Sequence, residues 1–272
     1  MIYCSYFSII IILIIFLIFI LPMESLLKQL EKSFIEISEL IQNSSSNNLE
    51  NYIEKYNISG DDVKQIDILS NIILKENLSK CSLVRAIGSE EEKELVYTEY
   101  ESAPYLVCYD PLDGSSNIGV NITTGTIFGV YRYNEDGEIL SGRSIVMAGY
   151  CLYGGATQYV IANEGKVSMY QYKPINSKSV KKNESITKKF VLIQDNLTIP
   201  EKGKVYSFNE ANRNKWMDTR YQKIIDLLLE KGYSARWVGS MVADGHRTLL
   251  KGGFFSYPAN SSNTSGKIRL LY

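Results

Sequence analysis

The chain carries almost no net charge, 29 lysines and arginines against 30 aspartates and glutamates. No global field therefore draws it to nucleic acid or to an anionic lipid surface. Cysteine is scarce, and Cys4, Cys81, Cys108 and Cys151 show neither metal-ligand nor disulfide-framework spacing. Cys108 and Cys151 sit in apolar strand-like runs, so buried reduced thiols and a reducing compartment are expected. Histidine occurs once, as His246 on a predicted helix, where a structural role fits better than general-acid chemistry. No internal repeat is apparent. With 45% hydrophobic content, 272 residues can bury a sizeable core, as one large domain or two joined ones.

Charge is wholly absent from residues 1–23, and 9–21 is unbroken aliphatic and Phe. Roughly 20 apolar residues suffice to cross a bilayer, yet this stretch lacks the basic n-region and small-residue cleavage site of a secretory signal. Three readings stand for 1–22: a signal anchor, a cleaved signal, or a start placed upstream of the true one at Met23. The third suits the soluble character of Glu24-Ser25-Leu26-Leu27-Lys28, although hydropathy alone would put the segment in lipid.

Leu26, Leu27, Leu30, Phe34, Ile37, Leu40 and Ile41 recur at helical spacing and predict an amphipathic helix over 25–42. A polar loop over 43–48 follows, then a second helix capped by Asp61-Asp62 and running to about Lys80. From Ser82 the texture turns to short β-like runs at 95–98, 105–109, 126–133, 144–152, 158–162 and 166–172. Residues 173–189 read as a polar surface connection, 190–193 and 205–208 as strands, 216–231 and 240–251 as helices, and 254–257 as a strand. Two layered α/β halves meeting near 173–189 are expected.

The densest chemistry lies in Tyr109-Asp110-Pro111-Leu112-Asp113-Gly114-Ser115-Ser116-Asn117. Asp110 and Asp113 on a Pro-stiffened turn offer hard oxygen ligands, and the Gly-Ser-Ser tip offers backbone N–H groups to an anion. A second acidic group, Ser89-Glu90-Glu91-Glu92, is by itself a solvated run unless a strand end presents it to that turn. Asp67, on a mostly apolar helix, reads on spacing alone as a surface residue. Asn209, Arg236, Arg247, Tyr257, Lys267 and Arg269 form a dispersed set of anion-facing candidates in the second half.

These residues resemble the fructose-1,6-bisphosphatases. The likeness rests on 110–117, Gly125-Thr126-Ile127-Phe128-Gly129-Val130-Tyr131-Arg132, the segment 200–210, Val238-Gly239-Ser240-Met241-Val242-Ala243-Asp244, His246-Arg247-Thr248-Leu249, Tyr257-Pro258-Ala259-Asn260 and the segment 266–272. The Asp-Pro-x-Asp-Gly-Ser core is shared with inositol monophosphatases, while the second-half motifs single out the fructose bisphosphatase branch. The resemblance implies an α/β (α+β) fold, a layered αβαβα sandwich of the sugar/inositol phosphatase superfamily, assembled as a homotetramer. The halves would be 23–175, with the metal site, and an incomplete substrate-binding half over 176–272. It implies Mg²⁺-dependent release of the 1-phosphate of fructose 1,6-bisphosphate in gluconeogenesis, with Mn²⁺ or Zn²⁺ as substitutes, in the cytoplasm unless 1–22 is a real anchor. By motif, Glu90, Asp110, Asp113 and the Leu112 carbonyl would hold metal, and Asp67 with Glu91 would orient and deprotonate the attacking water. Asp113, Gly114, Ser115 and Ser116 would meet the reacting end of the substrate. Asn209, Tyr257 and Lys267 would bind the 6-phosphate, with Arg236 reaching in from a neighbouring subunit and Arg269 near phosphate and metals.

Several positions depart from the pattern. A further glutamate ligand is expected directly after Tyr272, so a product of these residues alone is expected to show weak or no activity and poor folding. Gly119 stands where an aspartate is expected, and Asn212 and Trp237 where some members have tyrosines. Pro104 replaces a nucleotide-site lysine, so AMP insensitivity is expected. Two rivals remain open: another sugar or inositol phosphatase, or a non-catalytic sugar-phosphate-binding paralogue.

Overall fold

In the computed structural model the backbone is described for residues 3–44, 49, 51–56, 62–133, 142–173, 189–264 and 266, and side chains from Met23 onward except at 52–63. Helix α1 (Tyr3–Gln42) is followed by β1 (Tyr52–Tyr56) and β2 (Asp62–Lys64), which pair antiparallel, and by α2 (Gln65–Leu78). Then come β3 (Val84–Ser89), β4 (Val96–Tyr97), β5 (Tyr105–Asp113), β6 (Thr124–Arg132), β7 (Ile145–Tyr153), β8 (Thr157–Asn163), β9 (Lys166–Lys173) and β10 (Lys189–Gln194). The last part holds β11 (Val205–Phe208), α3 (Arg220–Glu230), β12 (Ser234–Ala235), α4 (Met241–Lys251) and β13 (Phe254–Ser256).

Strands β3 to β10 form an eight-stranded sheet in the order β10-β9-β8-β7-β6-β5-β3-β4. Its pairs are antiparallel except β3 with β5, which run parallel. Side-chain alternation along β7 and β8 decides which layer covers which face. Met147, Cys151, Tyr153, Tyr159 and Ile161 face the core under α1 and α2, with Leu26, Leu30, Phe34, Ile37, Ile66, Leu74 and Leu78. Tyr150 and Val160 point the other way, to Leu249 and Leu250 of α4. Each fully buried Leu, Ile or Phe stabilises this arrangement by roughly 1.5–3 kcal/mol. Gly125 makes the α4 side possible: a Cβ there would lie 2.3 Å from Cys151 O and 2.8 Å from Val242 Cγ1.

Beyond α4 lies a parallel three-stranded sheet, β12-β11-β13. Ser207 of β11 points back to Arg247 of α4, while Tyr206 and Phe208 pack with Trp216, Ile225 and Leu228 under α3. The layers therefore run α1/α2, large sheet, α4, small sheet, α3, which is the αβαβα order expected from the resemblance.

Local differences have local causes. The second helix begins at Gln65 rather than after Asp61-Asp62, because Asp62–Lys64 is drawn into pairing with β1. The run at 105–109 continues as strand to Asp113, so the acidic turn is a strand end. The helix expected over 216–231 starts at Arg220, because Trp216 is buried and bridges to Asn260. Within the loop expected over 43–48, 43–44 form a turn and 45–48 lie outside the described residues, as do 174–188 of the polar connection. Cys81, Cys108 and Cys151 are free and buried, and burial pushes the Cys108 thiol up to about 12. Among the described residues no helix is long and apolar enough to cross a membrane, and the side chains of 1–22, on which the anchor reading rests, lie outside them.

Candidate active site

The parallel register of β3 and β5 sets Ser89 opposite Tyr109, so Glu90 and Asp110 emerge side by side at the carboxyl ends of the two strands. Ligand sites in α/β sheets gather at such ends. The Glu90 amide donates to Tyr109 O at 3.1 Å, and the Glu91 amide to Ser89 Oγ at 3.2 Å. The glutamate run is thus no solvated surface stretch: Glu90 is 7% exposed and Glu91 9%. Pro111 has no N–H for the ladder, and the register between β5 and β6 shifts between Asp110 and Asp113. Asp110 Oδ1 accepts its own Leu112 amide at 2.9 Å, which fixes the bulge, and Leu112 buries its side chain.

Asp67 enters from the first turn of α2 and is buried rather than on the surface. Its Oδ2 accepts the Lys64 amide at 2.7 Å, closing the helix start. Burial pushes its carboxyl up to about 6; the Lys64 amide, the Ser115 hydroxyl and the Lys64 charge oppose this, while the Glu90 charge adds to it. That pattern places Asp67 beside both Ser115 and Glu90. The helical neighbours Ile66 and Ile68 concealed this in the sequence.

The turn after Asp113 docks on the second half. Asp113 Oδ2 accepts the Ser240 hydroxyl at 2.8 Å and the Val242 amide at 2.9 Å, at the amino end of α4, where a negative charge is favoured. Gly114 has φ of 76°, and a Cβ on it would meet Ser240 Cβ at 2.7 Å. Ser115–Val120 then forms a 3₁₀ turn with Ser115 half-buried and Ser116 exposed. The fully buried Asp244 holds the docking loop by accepting the amides of Val238 at 3.1 Å and Gly239 at 3.2 Å, together with Nη2 of Arg247. Arg247 also donates to Ser207 Oγ and to Arg236 O, so it is a bracket inside the fold and not an anion-facing cation. Sequence alone assigns Ser240 and Asp244 no role, although both lie within a motif that carries the resemblance. His246 is structural as expected: its Nδ1 is 2.9 Å from Tyr150 OH, and burial lowers its pKa.

A second set of strand ends lies in the small sheet. Phe208 pairs with Ser256 and Tyr206 with Ala235 in parallel register. Asn209, Arg236 and Tyr257 therefore follow the carboxyl ends of β11, β12 and β13 and are brought together. Arg236 is exposed and Asn209 and Tyr257 are half-buried; Trp237 stacks edge to face on Tyr257 with centroids 5.1 Å apart. Lys267 and Arg269 lie outside the described residues.

The donor set suits a hard divalent cation: carboxylate oxygens, buried, with the Glu90 charge disfavouring ionisation of Asp67. Among the described residues, no three His, Cys, Asp or Glu side chains converge as a finished cage.

Comparison with known proteins matches residues 21–181 to the fructose-1,6-bisphosphatase N-terminal domain and 199–272 to its C-terminal domain. A class 1 fructose-1,6-bisphosphatase of Persephonella marina is 43% identical over 222 residues, covering 80% of this chain and 66% of that protein. Isozyme 2 of Bos taurus is 38% identical over 266 residues, covering 92% and 74%. The chain thus spans just under two thirds of the length of the first of these relatives. The crystal structure of Leishmania major fructose-1,6-bisphosphatase in holo form superposes with a TM-score of 0.83 at 36% identity, covering 92% of this chain and 78% of that one. Fold order, strand-end acids and both domain matches converge, and the chain belongs to the fructose-1,6-bisphosphatase family.

Proposed function

We propose that this chain hydrolyses the 1-phosphate of fructose 1,6-bisphosphate, with Mg²⁺ as its divalent cation. The observation that supports the reading most is the joint between the strand-end acids and the second half, where Asp113 accepts the Ser240 hydroxyl and the Val242 amide. Glu90, Asp110, Asp113 and the Leu112 carbonyl would hold the metal, helped by Glu91. When bound, the cation neutralises phosphate charge and polarises the reacting oxygens. Asp67, with a carboxyl near 6, is mostly ionised at neutral pH and basic enough to take a proton from water, Glu91 orienting it. The water oxygen bonds to phosphorus as the sugar oxygen leaves, giving fructose 6-phosphate and phosphate.

Ser115 and Ser116 meet the 1-phosphate from the tip that Gly114 allows. Asn209, Tyr257 and Lys267 hold the 6-phosphate, Arg236 serves a neighbouring subunit's site in a homotetramer, and Arg269 lies near phosphate and metal. Fixing the far phosphate sets the near one in line, which is where much of the catalysis of phosphoryl transfer resides. The same reading assigns a cytoplasmic, gluconeogenic role. It divides the chain into 23–175 and 176–272, with β10 returning an edge strand to the first sheet.

Phosphate release by the purified chain tests it, with fructose 1,6-bisphosphate and inositol monophosphate compared across a Mg²⁺ titration. The expected release is weak in rate, metal-dependent, and greater from the bisphosphate than from the inositol ester. Preference for the inositol ester would reject the substrate assignment.

A further inference from the structure

Glu92 closes the Glu90-Glu91-Glu92 run and takes no part in the chemistry above. Its Oε1 accepts Asn71 Nδ2 at 3.0 Å and lies 2.5 Å from Lys75 Nζ. Asn71 in turn accepts the Tyr109 hydroxyl at 3.0 Å, and Asn71 and Tyr109 are both buried. Asp67, Asn71 and Lys75 stand at i, i+4 and i+8 on α2, which puts them on one helix face. That face meets Glu90 at its amino end and Glu92 further along. The turn between is closed by the Glu92 amide on Ser89 O at 3.2 Å.

An ion pair with side chains about one third exposed would by itself contribute little, on the order of 0–1 kcal/mol. This one differs because its carboxylate shares an oxygen with a buried amide that the strand carrying Asp110 also holds. We infer that Glu92 is a positioning residue: clamped by Asn71 and Lys75, it fixes the turn bearing Glu90 and Glu91 against α2. One helix face thereby sets the spacing between Asp67 and the two glutamates. The inference rests on the reading of Glu90 and Glu91 given under Proposed function.

The full chain is compared as wild type, Glu92→Gln, Lys75→Met, the conservative Lys75→Arg, and Lys32→Met, which removes an exposed i,i+4 pair within α1. Two readouts are taken: amide hydrogen exchange without divalent cation, and Mn²⁺ binding by calorimetry. In Glu92→Gln and Lys75→Met, exchange at Glu90 and Glu92 is expected to rise about tenfold while β5 and the rest of α2 keep their protection. Mn²⁺ affinity is expected to fall about tenfold, with Lys75→Arg and Lys32→Met within about twofold of wild type. Unchanged local exchange, unchanged Mn²⁺ affinity, or exchange that rises equally everywhere overturns the positioning role. A wild type that takes up no Mn²⁺ overturns the metal-site reading, and this role with it.

Discussion

The two strand-end walls use one device and differ in how they are held. Both gather residues at the carboxyl ends of parallel strands, β3 and β5 in one case and β11, β12 and β13 in the other. In the acid wall, Asp67, Glu90, Asp110 and Asp113 are 4–7% exposed. In the second wall, Arg236 is exposed and Trp237 is 38% exposed. Burying carboxylates is costly unless their oxygens are bonded, and three of these acids are tethered: Asp67 at Lys64 and Ser115, Asp110 at Leu112, and Asp113 at Ser240 and Val242. Solvated cations pay no such cost and need no such scaffolding. The difference teaches that geometry is fixed on the acid side and adjustable on the other.

The largest expected effect comes from breaking the joint between them. Asp244→Ala removes the acceptor for Val238, Gly239 and Arg247 and leaves a mostly buried guanidinium without its carboxylate. Breaking a buried pair from one side costs about 3–5 kcal/mol. The urea midpoint is expected to fall accordingly, and the loop that holds Asp113 is expected to lose amide protection. A loss below about 1 kcal/mol, the scale of an exposed pair, would mean that the acid wall does not depend on the second half.

The next effect sharpens the cost of burial. Asp67 rises from 3.8 to about 6 on folding. Between those values the folded state binds more protons than the unfolded one, so stability falls as pH rises through that window and levels above it. Below about pH 4 both states hold the proton and the contribution vanishes. At 1.36 kcal/mol for each pKa step, the drop is about 2–3 kcal/mol. Urea midpoints without divalent cation should show this decline in wild type, and Asp67→Asn should flatten it. An equally steep decline in Asp67→Asn would show that burial of this carboxyl does not set the pH dependence.

Much of this was legible because it is local. The spacing of Leu26, Leu30, Phe34 and Ile37 foretold the buried face of α1, and the motif at 110–117 located the acid wall. What was not legible depends on partners distant in sequence. A capping signal at Asp61-Asp62 lost to strand pairing with β1, which no local pattern encodes. Asp67 reads as a surface residue until β3 and the 3₁₀ turn close over it. Arg247 looked free for an anion, although Asp244 three residues earlier on the same helix was a visible partner. Glu92 was hidden for the opposite reason: three adjacent acids look alike, and only the fold distinguishes the one paired with Lys75 from Glu90, whose charge acts on Asp67.

The smallest effect tests the adjustable wall. Trp237 meets Tyr257 edge to face, a contact worth about 0.5–1.5 kcal/mol beyond its buried area. Trp237→Phe keeps a six-membered ring against Tyr257 and removes the pyrrole part of the indole with its N–H. On the proposed activity, KM for fructose 1,6-bisphosphate is expected to change by less than about threefold, under ~0.7 kcal/mol, with kcat unchanged. Trp237→Ala removes the ring and leaves Tyr257 its edge contact with Phe255, and KM is expected to rise by up to about tenfold, again without a change in kcat. The split matters more than the size. A residue that only helps to hold the far phosphate acts on binding, whereas a residue that sets the reacting geometry acts on kcat. Should Trp237→Phe lower kcat by about tenfold, the second wall would be as tightly fixed as the acid wall, and exposure would no longer measure how much freedom a strand end retains.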